Sequence, residues 1–334
     1  MSTWRAIALC CTCVVSLCRS EAAAPEGYYA AAEGKTGRAL REALHDRIKD
    51  HQVVRYANSA GLDTLDAIKV LDEDPADTNN VILIYSGWSV PKTNFNVVSW
   101  NREHLWPDSY GFDGKESWPP MCDLFNLRPC DSRVNSARSN KYFDLSNPGD
   151  RNYRASAHTN APSCSADTDS WEPPDSMKGD IARALLYMDL RYNGSQPEQP
   201  DLTLTENIDV VASGSTFMGR LSTLLLWNRQ DLVDVAETRR NDLIYERYQR
   251  NRNPFVDHPE WAELVFLPRL GITSMPAQQL RITWEVQWTN ALLERAEGPG
   301  LWLVVPNPRV ILDGQVIVDE LSTNTSSLYR LRPF

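Results

Sequence analysis

The stretch WNREHLWPDSYGF, Trp100 to Phe112, sets a cation, an acid and an imidazole side by side at Arg102, Glu103 and His104. A neutral imidazole near pH 7 can take a proton from water. Carboxylate and amide oxygens are hard ligands suited to Mg2+. Asn126 follows His104 by 22 residues, and Asn135 follows by another nine. Around one ion, these groups have what single-metal phosphodiester hydrolysis needs. The imidazole serves the water, and the ion stabilises charge growing on a phosphate oxygen and the leaving 3′-oxygen. Taken singly, each residue reads more blandly. His104 alone is a solvated loop histidine, and Asn126 and Asn135 are turn or cap residues. Arg102 and Glu103 alone are a surface ion pair worth ~0–1 kcal/mol. The set, in this order, is what points to chemistry.

Short elements must hold that set. A strand over Asn96 to Trp100 runs into Glu103 and His104, and the chain turns at Pro107. VILIYSGW, Val81 to Trp88, reads as a buried strand bounded by Asn79-Asn80 and Gly87. DLFNLRPCDSRVNSARSNKYF has an apolar start, a break at Pro129 and a helical segment from Ser132 to Lys141. Upstream, Leu40, Leu44 and Ile48 form a helix stripe with Thr36 as N-cap, and GLDTLDAIKVLDEDP is a second helix stopped before Pro75. Asp144 to Pro174 is loop-like. Ile181, Leu185 and Met188 then mark a helix capped by Asp175, which reads as a core helix, although its Lys178 and Arg183 could reach phosphates. FMGRLSTLLLWNRQDLVD and AETRRNDLIYERYQRNRNPF read as further helices, the second stopped by Pro254. From about Ser274 the pattern changes. Ile282, Trp284, Val286 and Trp288 alternate, and VILDGQVIV is a hairpin signal.

NREHLWPDSYG, DLFNLRP and RVNSARSN resemble the endonuclease I family of secreted or periplasmic non-specific nucleases. The resemblance extends to YYAAAEGKTGRALREALHDRI, WEPPDSMKGDIARALLYMDLRY and RRNDLIYERYQRNRNPFVDHPEWA, and spans roughly Tyr28 to Leu264. It implies an α+β fold, a mostly helical core around a ββα-metal (His-Me finger) motif, with the small C-terminal β-rich module added. The limits expected are a signal peptide over 1–24, a nuclease domain over 25–270 and the module over 275–334. The resemblance further implies that His104 is the general base and that Glu103 and Asn135 are the protein ligands of Mg2+, with Mn2+ or Ca2+ as substitutes. Asn126 buttresses the loop and orients the histidine. The family's additional cation, which stabilises the phosphate or leaving group, does not align clearly. Lys115 and Arg138 are the candidates, and Arg138 is preferred because it lies on the metal helix. The implied activity is sequence-non-specific hydrolysis of DNA, extended to RNA, leaving 5′-phosphate ends.

The bulk properties bound these expectations. The chain has 334 residues, 42% hydrophobic and 23% charged, with 11 Trp and 12 Tyr, which excludes a disordered chain. A net charge of −10 argues against a nucleic-acid partner unless the charge is unevenly spread. Arg239, Arg240, Arg247, Arg250 and Arg252 form one basic stretch, read either as a solvated face or as a DNA-backbone track. Arg133, Arg138, Lys141, Arg151 and Arg154 form another, and acid concentrates over Asp63 to Asp77 and Asp167 to Asp180. Ala6 to Cys18 is an apolar run of signal-peptide length after Arg5, with cleavage expected near Ala22 to Ala24. A secreted or periplasmic monomer without a membrane span is the expectation. The mature chain keeps Cys122, Cys130 and Cys164, which allow one disulfide, locally between Cys122 and Cys130 or through Cys164. Sequons stand at Asn193 and Asn324. His45, His51, His158 and His258 show no useful metal-ligand spacing, and the first two are expected on the surface of the first helix. Two other readings compete. One is an inactive nuclease-fold binding or adhesion protein, disfavoured by the intact Glu103, His104, Asn126 and Asn135. The other is a hydrolase using Glu103 as an acid, for which no carboxylate partner is evident.

Overall fold

The computed structural model describes residues 24–96, 99–112, 114, 118–268, 270–285, 291–296, 301–321 and 327–332. The expected leader, Lys115, Asn324, Val286 and Trp288 lie outside the described residues. Helices α1 (Gly37–Ile48) and α2 (Thr64–Leu71) open the chain. Strands β1 (Glu73–Asp74), β2 (Asp77–Ile82) and β3 (Ser89–Pro91) form an antiparallel sheet. Strand β4 (Trp100–His104), helix α3 (Pro119–Cys122), strand β5 (Leu127–Asp131) and helix α4 (Ser132–Arg138) follow. Strands β6 (Tyr142–Phe143), β7 (Ser165–Ala166) and β8 (Ser170–Glu172) make a small sheet, and helix α5 (Lys178–Arg191) comes next. Strands β9 (Thr203–Leu204) and β10 (Phe217–Met218) pair in parallel before helices α6 (Leu221–Gln230), α7 (Val235–Leu243), α8 (Pro254–Asp257) and α9 (Trp261–Phe266).

The helical stripes hold. Leu40, Leu44 and Ile48 are fully buried, as are Ile181, Leu185 and Met188. Twelve of the fourteen residues of α5 are buried, which makes it the central helix of the core. Asp175 does not cap it. A 3-10 turn over Asp175–Met177 precedes the helix, and the Asp175 carboxylate accepts instead from Lys178 Nζ at 2.7 Å. Arg183 is fully buried against Glu237, with Nε–Oε1 2.7 Å and Nη2–Oε2 2.5 Å, so it cannot reach a phosphate.

Other boundaries shift for local reasons. The strand expected over 81–88 ends at Ile82, because Leu83 to Trp88 close a turn through Gly87 at φ +66°. The next strand begins at Trp100 rather than ending there, so Glu103 and His104 are its last two residues. Helix α4 stops at Arg138, where Ser139 takes φ +55°. Pro254 opens α8 instead of closing α7, which ends through a π turn over Ile244–Tyr248. The loop expected over 144–174 contains β7 and β8.

His45 and His51 are buried, contrary to the surface expectation. His45 Nδ1 lies 2.9 Å from the Leu190 carbonyl, and Arg191 Nε donates to His51 Nδ1 at 3.0 Å. Cys122, Cys130 and Cys164 are buried thiols with no disulfide among the described residues, so the expected bridge does not form.

The C-terminal β region is as the alternation requires. Strands β11 (Gly271–Met275), β12 (Gln279–Glu285), β13 (Leu292–Ala296), β14 (Leu303–Val304), β15 (Val310–Leu312), β16 (Gln315–Leu321) and β17 (Leu328–Arg332) form two antiparallel sheets. Their orders are β11-β12-β16-β15 and β14-β13-β17. Asp313 and Gly314 both have positive φ, which suits a two-residue hairpin turn. Ile282, Trp284, Leu293, Val305, Val316 and Val318 form a core of their own, separate from the main cluster. No described helix is long and apolar enough to cross a membrane.

Burial holds His51 down to about 4 from 6.5, against the pull of Asp123, and the Arg191 donor works in the same direction. The unfolded chain takes up this proton as pH falls through 6.5, while the fold refuses it until about 4. Stability present above that window is lost across it, by on the order of 3 kcal/mol. His51→Gln should remove this component. Urea unfolding of both proteins at the two ends of the window should show a smaller pH-dependent loss in the variant, and equal losses would refute the assignment.

Candidate active site

Strands β4 and β5 pair antiparallel in the register Trp100↔Asp131 through His104↔Leu127, and α4 starts at the very next residue. Asp131 serves both elements. It ends β5, and its Oδ1 caps α4 by accepting from Arg133 N and Val134 N. Alternation along β4 separates its side chains. Asn101 and Glu103 face α4, while Arg102 and His104 turn towards Tyr56.

On the α4 side, Glu103 is 1% exposed. Its Oε1 accepts from the Tyr85 hydroxyl at 2.7 Å and lies 3.3 Å from Arg138 Nη1. Burial pushes its carboxyl above the ordinary range, and Arg138 and Tyr85 oppose that by favouring the ionised form. Asn135 Nδ2 donates to Asn101 Oδ1 at 2.9 Å and to the Arg102 carbonyl at 3.2 Å. A carbonyl can only accept, so the amide orientation is fixed and Asn135 Oδ1 faces the other way. Among the described residues neither Glu103 Oε2 nor Asn135 Oδ1 accepts a hydrogen bond. One carboxylate and one oriented amide oxygen fit a hard divalent ion. No group of three or more His, Cys, Asp or Glu able to hold a metal occurs among the described residues.

On the other side, His104 Nε2 lies 3.0 Å from the Met121 carbonyl. That partner only accepts, so Nε2 carries the proton and Nδ1 keeps its lone pair. Burial lowers the imidazole's pKa, partly offset by the Met121 hydrogen bond, so the neutral form is favoured. The ring stacks on Tyr56 at 5.5 Å, and Phe112 meets it edge-on at 6.1 Å. Arg102 holds Tyr56 in place. Its guanidinium lies 3.5 Å from the ring centroid, and Nη1 donates to Thr64 Oγ1 at 2.9 Å and to the Tyr56 carbonyl. Arg102 is therefore not paired with Glu103.

Arg138 is 1% exposed and lies inside the unit, not at its surface. It donates to the carbonyls of His104 at 3.0 Å and Leu105 at 2.7 Å. In this place it braces Glu103 and the end of β4, and it does not reach solvent where a phosphate would sit. Asn126 is fully buried. Its Oδ1 accepts from Trp106 N at 2.7 Å, its Nδ2 donates to Trp106 O at 3.1 Å, and its carbonyl accepts from Leu105 N at 3.0 Å. The loop carrying Asn126 is itself tied down by Asp123, whose carboxylate accepts from Tyr187, Tyr192, Phe125 N and Gln249.

Motif reading missed Tyr85, Tyr56 and Asn101. A phenol in the middle of the apolar run VILIYSGW is the one signal that could have flagged Tyr85. Replacing Asn126 strands the Trp106 N–H and carbonyl in a dry interior. Asn126→Ala should cost about 1–3 kcal/mol in chemical denaturation, and a loss below a few tenths would show that the loop does not depend on this amide.

Residues 36–260 match the family described as Endonuclease I. The chain is 48% identical over 244 residues to an extracellular ribonuclease of Bacillus amyloliquefaciens, covering 72% of this chain and 78% of that protein. It is 46% identical over 242 residues to an extracellular ribonuclease of Bacillus subtilis (strain 168), again covering 72% and 78%. The matched region contains the whole β4–β5–α4 unit and the Asp123 hub behind it, and on this evidence the chain belongs to the endonuclease I family of nucleases.

Proposed function

We propose that the chain is a secreted, metal-dependent endonuclease that hydrolyses the phosphodiester backbone of DNA and RNA without reading sequence. The observation that carries this reading is the division of labour at the end of β4. One residue offers an oriented, neutral imidazole, and the residue before it offers a buried carboxylate with one oxygen uncommitted. His104 Nδ1 takes the proton of the attacking water, and its Nε2–H stays on the Met121 carbonyl throughout. Glu103 Oε2 and Asn135 Oδ1 would hold Mg2+, or Mn2+ and Ca2+ on the same hard-donor grounds. When bound, the ion supplies positive charge for the phosphate oxygens and the departing 3′-oxygen, consistent with 5′-phosphate products. Asn126 holds the backbone that follows His104, and Arg138 contributes by bracing Glu103 rather than by meeting phosphate.

Such a site addresses phosphate and sugar, which are common to all sequences. The names of the Bacillus relatives support RNA as a substrate and export as the destination, with residues 1–24 as a cleaved leader. Contacts with the nucleic-acid backbone are assigned to the exposed Arg133 on α4, which also pairs with Asp131, and to the exposed Arg151 and Arg154 that follow it in the sequence. Of the five arginines from Arg239 to Arg252, Arg239, Arg247 and Arg250 are exposed, because Arg240 and Arg252 are committed to buried acids. We also propose that the nuclease domain occupies 25–270, that the β-rich module of 275–334 is an addition to it, and that the protein acts as a monomer.

A digest of plasmid and of total RNA with and without EDTA tests the metal requirement. Chelation should abolish both activities, and full activity in EDTA would overturn the reading. His104→Ala should lose about 10²–10⁴-fold in kcat while keeping its affinity for Mg2+. Asn135→Ala should weaken that affinity, with activity returning partly at high metal. Cleavage by His104→Ala at the parental rate would exclude His104 as the base.

A further inference from the structure

We infer that Tyr85 is a positioning residue for the Glu103 carboxylate, fixing which of its two oxygens is presented to the metal ion. The inference rests on the reading of Glu103 as a metal ligand. Tyr85 belongs to the turn after β2, outside the strand-strand-helix unit that carries the site. Its place is set by contacts that do not involve Glu103. Ile84 N donates to the Pro129 carbonyl at 2.9 Å, which ties the turn to β5. The Cys164 thiol lies 3.7 Å from the Tyr85 carbonyl, and the Tyr85 ring packs against Trp171 with centroids 5.4 Å apart. The phenol is 2% exposed and its oxygen reaches Glu103 Oε1 at 2.7 Å.

An ionised carboxylate only accepts, so the hydroxyl must be the donor. Arg138 Nη1 approaches the same oxygen at 3.3 Å, from a different element. One hydroxyl donor and one guanidinium charge therefore converge on Oε1. A carboxylate held by one oxygen cannot rotate its plane without breaking both contacts, and Oε2 is left as the oxygen with a defined direction. Groups that orient a ligand in this way commonly change metal affinity by about 10–100-fold.

Tyr85→Phe removes the hydroxyl and keeps the ring, so its packing against Trp171 is retained. Calorimetric titration with Mn2+, compared for the parent, Tyr85→Phe and Glu103→Ala, reads the effect directly. The expected result is near-complete loss of binding in Glu103→Ala and a roughly 10–100-fold weaker dissociation constant in Tyr85→Phe. At saturating Mn2+ the kcat of Tyr85→Phe should recover to within about threefold of the parent, because the phenol touches neither water nor phosphate. A hydroxyl serving only the fold would lower the unfolding midpoint and leave Mn2+ affinity unchanged, and that result overturns the inference while sparing the role of Glu103. Parental binding in Glu103→Ala would overturn the metal-ligand reading itself, and the inference with it.

Discussion

The site depends on a guanidinium that never meets solvent. Arg138 leaves α4 one turn after Asn135 and delivers its charge to the inside of the β4 end, where it meets two carbonyls and the Glu103 carboxylate. Taking an arginine out of water is costly, and here two carbonyl acceptors and the Glu103 charge offset that cost, with Nε left without a partner. With the guanidinium removed, Glu103 would be a buried carboxylate with one phenol for support. The carbonyls of His104 and Leu105 would also lose their donors. Both candidate side chains, Glu103 and His104, stand at the last two positions of the strand, and this cation is bonded to the strand end beside them. Its guanidinium also lies over the Phe143 ring, with the central carbon 4.6 Å from the ring centroid.

A second layer of buried charge holds the back of the same hairpin. Arg128, on β5, spans Asp72 and Asp180 at 2.6 Å each. Arg240 donates to Asp72 and to the Leu127 carbonyl, and Arg183 pairs with Glu237. These pairs connect α2, β5, α5 and α7. Ion pairs of this kind add little net stability compared with apolar packing, but removing one member costs several kcal/mol. They therefore favour a single arrangement over near alternatives. The Asp123 hub does similar work with neutral partners, since both carboxylate oxygens are occupied by donors from α5, the start of its own loop and Gln249. Two scaffolds thus converge on the short loop between Met121 and Leu127, which supplies the acceptor for His104 and the amide that grips Trp106.

Much of this was legible in the residues. The stripes of α1 and α5 were readable because a core-facing helix repeats its apolar residues at a fixed period, and the Asp313-Gly314 turn because few residues accept positive φ. The positions of Glu103, His104, Asn126 and Asn135 were also readable, since they fall within short motifs. The failures share one cause. His45, His51, Arg138, Arg183, Arg240 and Arg252 are polar or charged, and pattern reading places such residues at the surface. Most are buried because a distant segment supplies the partner, such as Leu190 for His45 or Glu237 for Arg183, while Arg252 is held by Asp257 five residues on. Tyr85 escaped for the complementary reason. It looked apolar in an apolar run, and only the fold brings Glu103 to its hydroxyl.

The same point bears on the objection raised by a net charge of −10. Counting arginines overstates the charge available to a phosphate backbone, because several of them are spent inside the protein. Counting acids understates the selectivity of that loss, since Asp72, Asp180, Glu237 and Asp257 are consumed by those same arginines. What a nucleic acid meets is the remainder, which includes the exposed Arg151 and Arg154, and Arg133 of α4, whose exposed side chain also pairs with Asp131. Phosphate attraction is local and is screened beyond about 10 Å at ordinary ionic strength. An acidic chain can therefore bind a polyanion wherever its uncommitted cations lie within that distance of the reacting atoms. The bulk composition bears on solubility. The choice of which arginines to bury decides where a polyanion can approach.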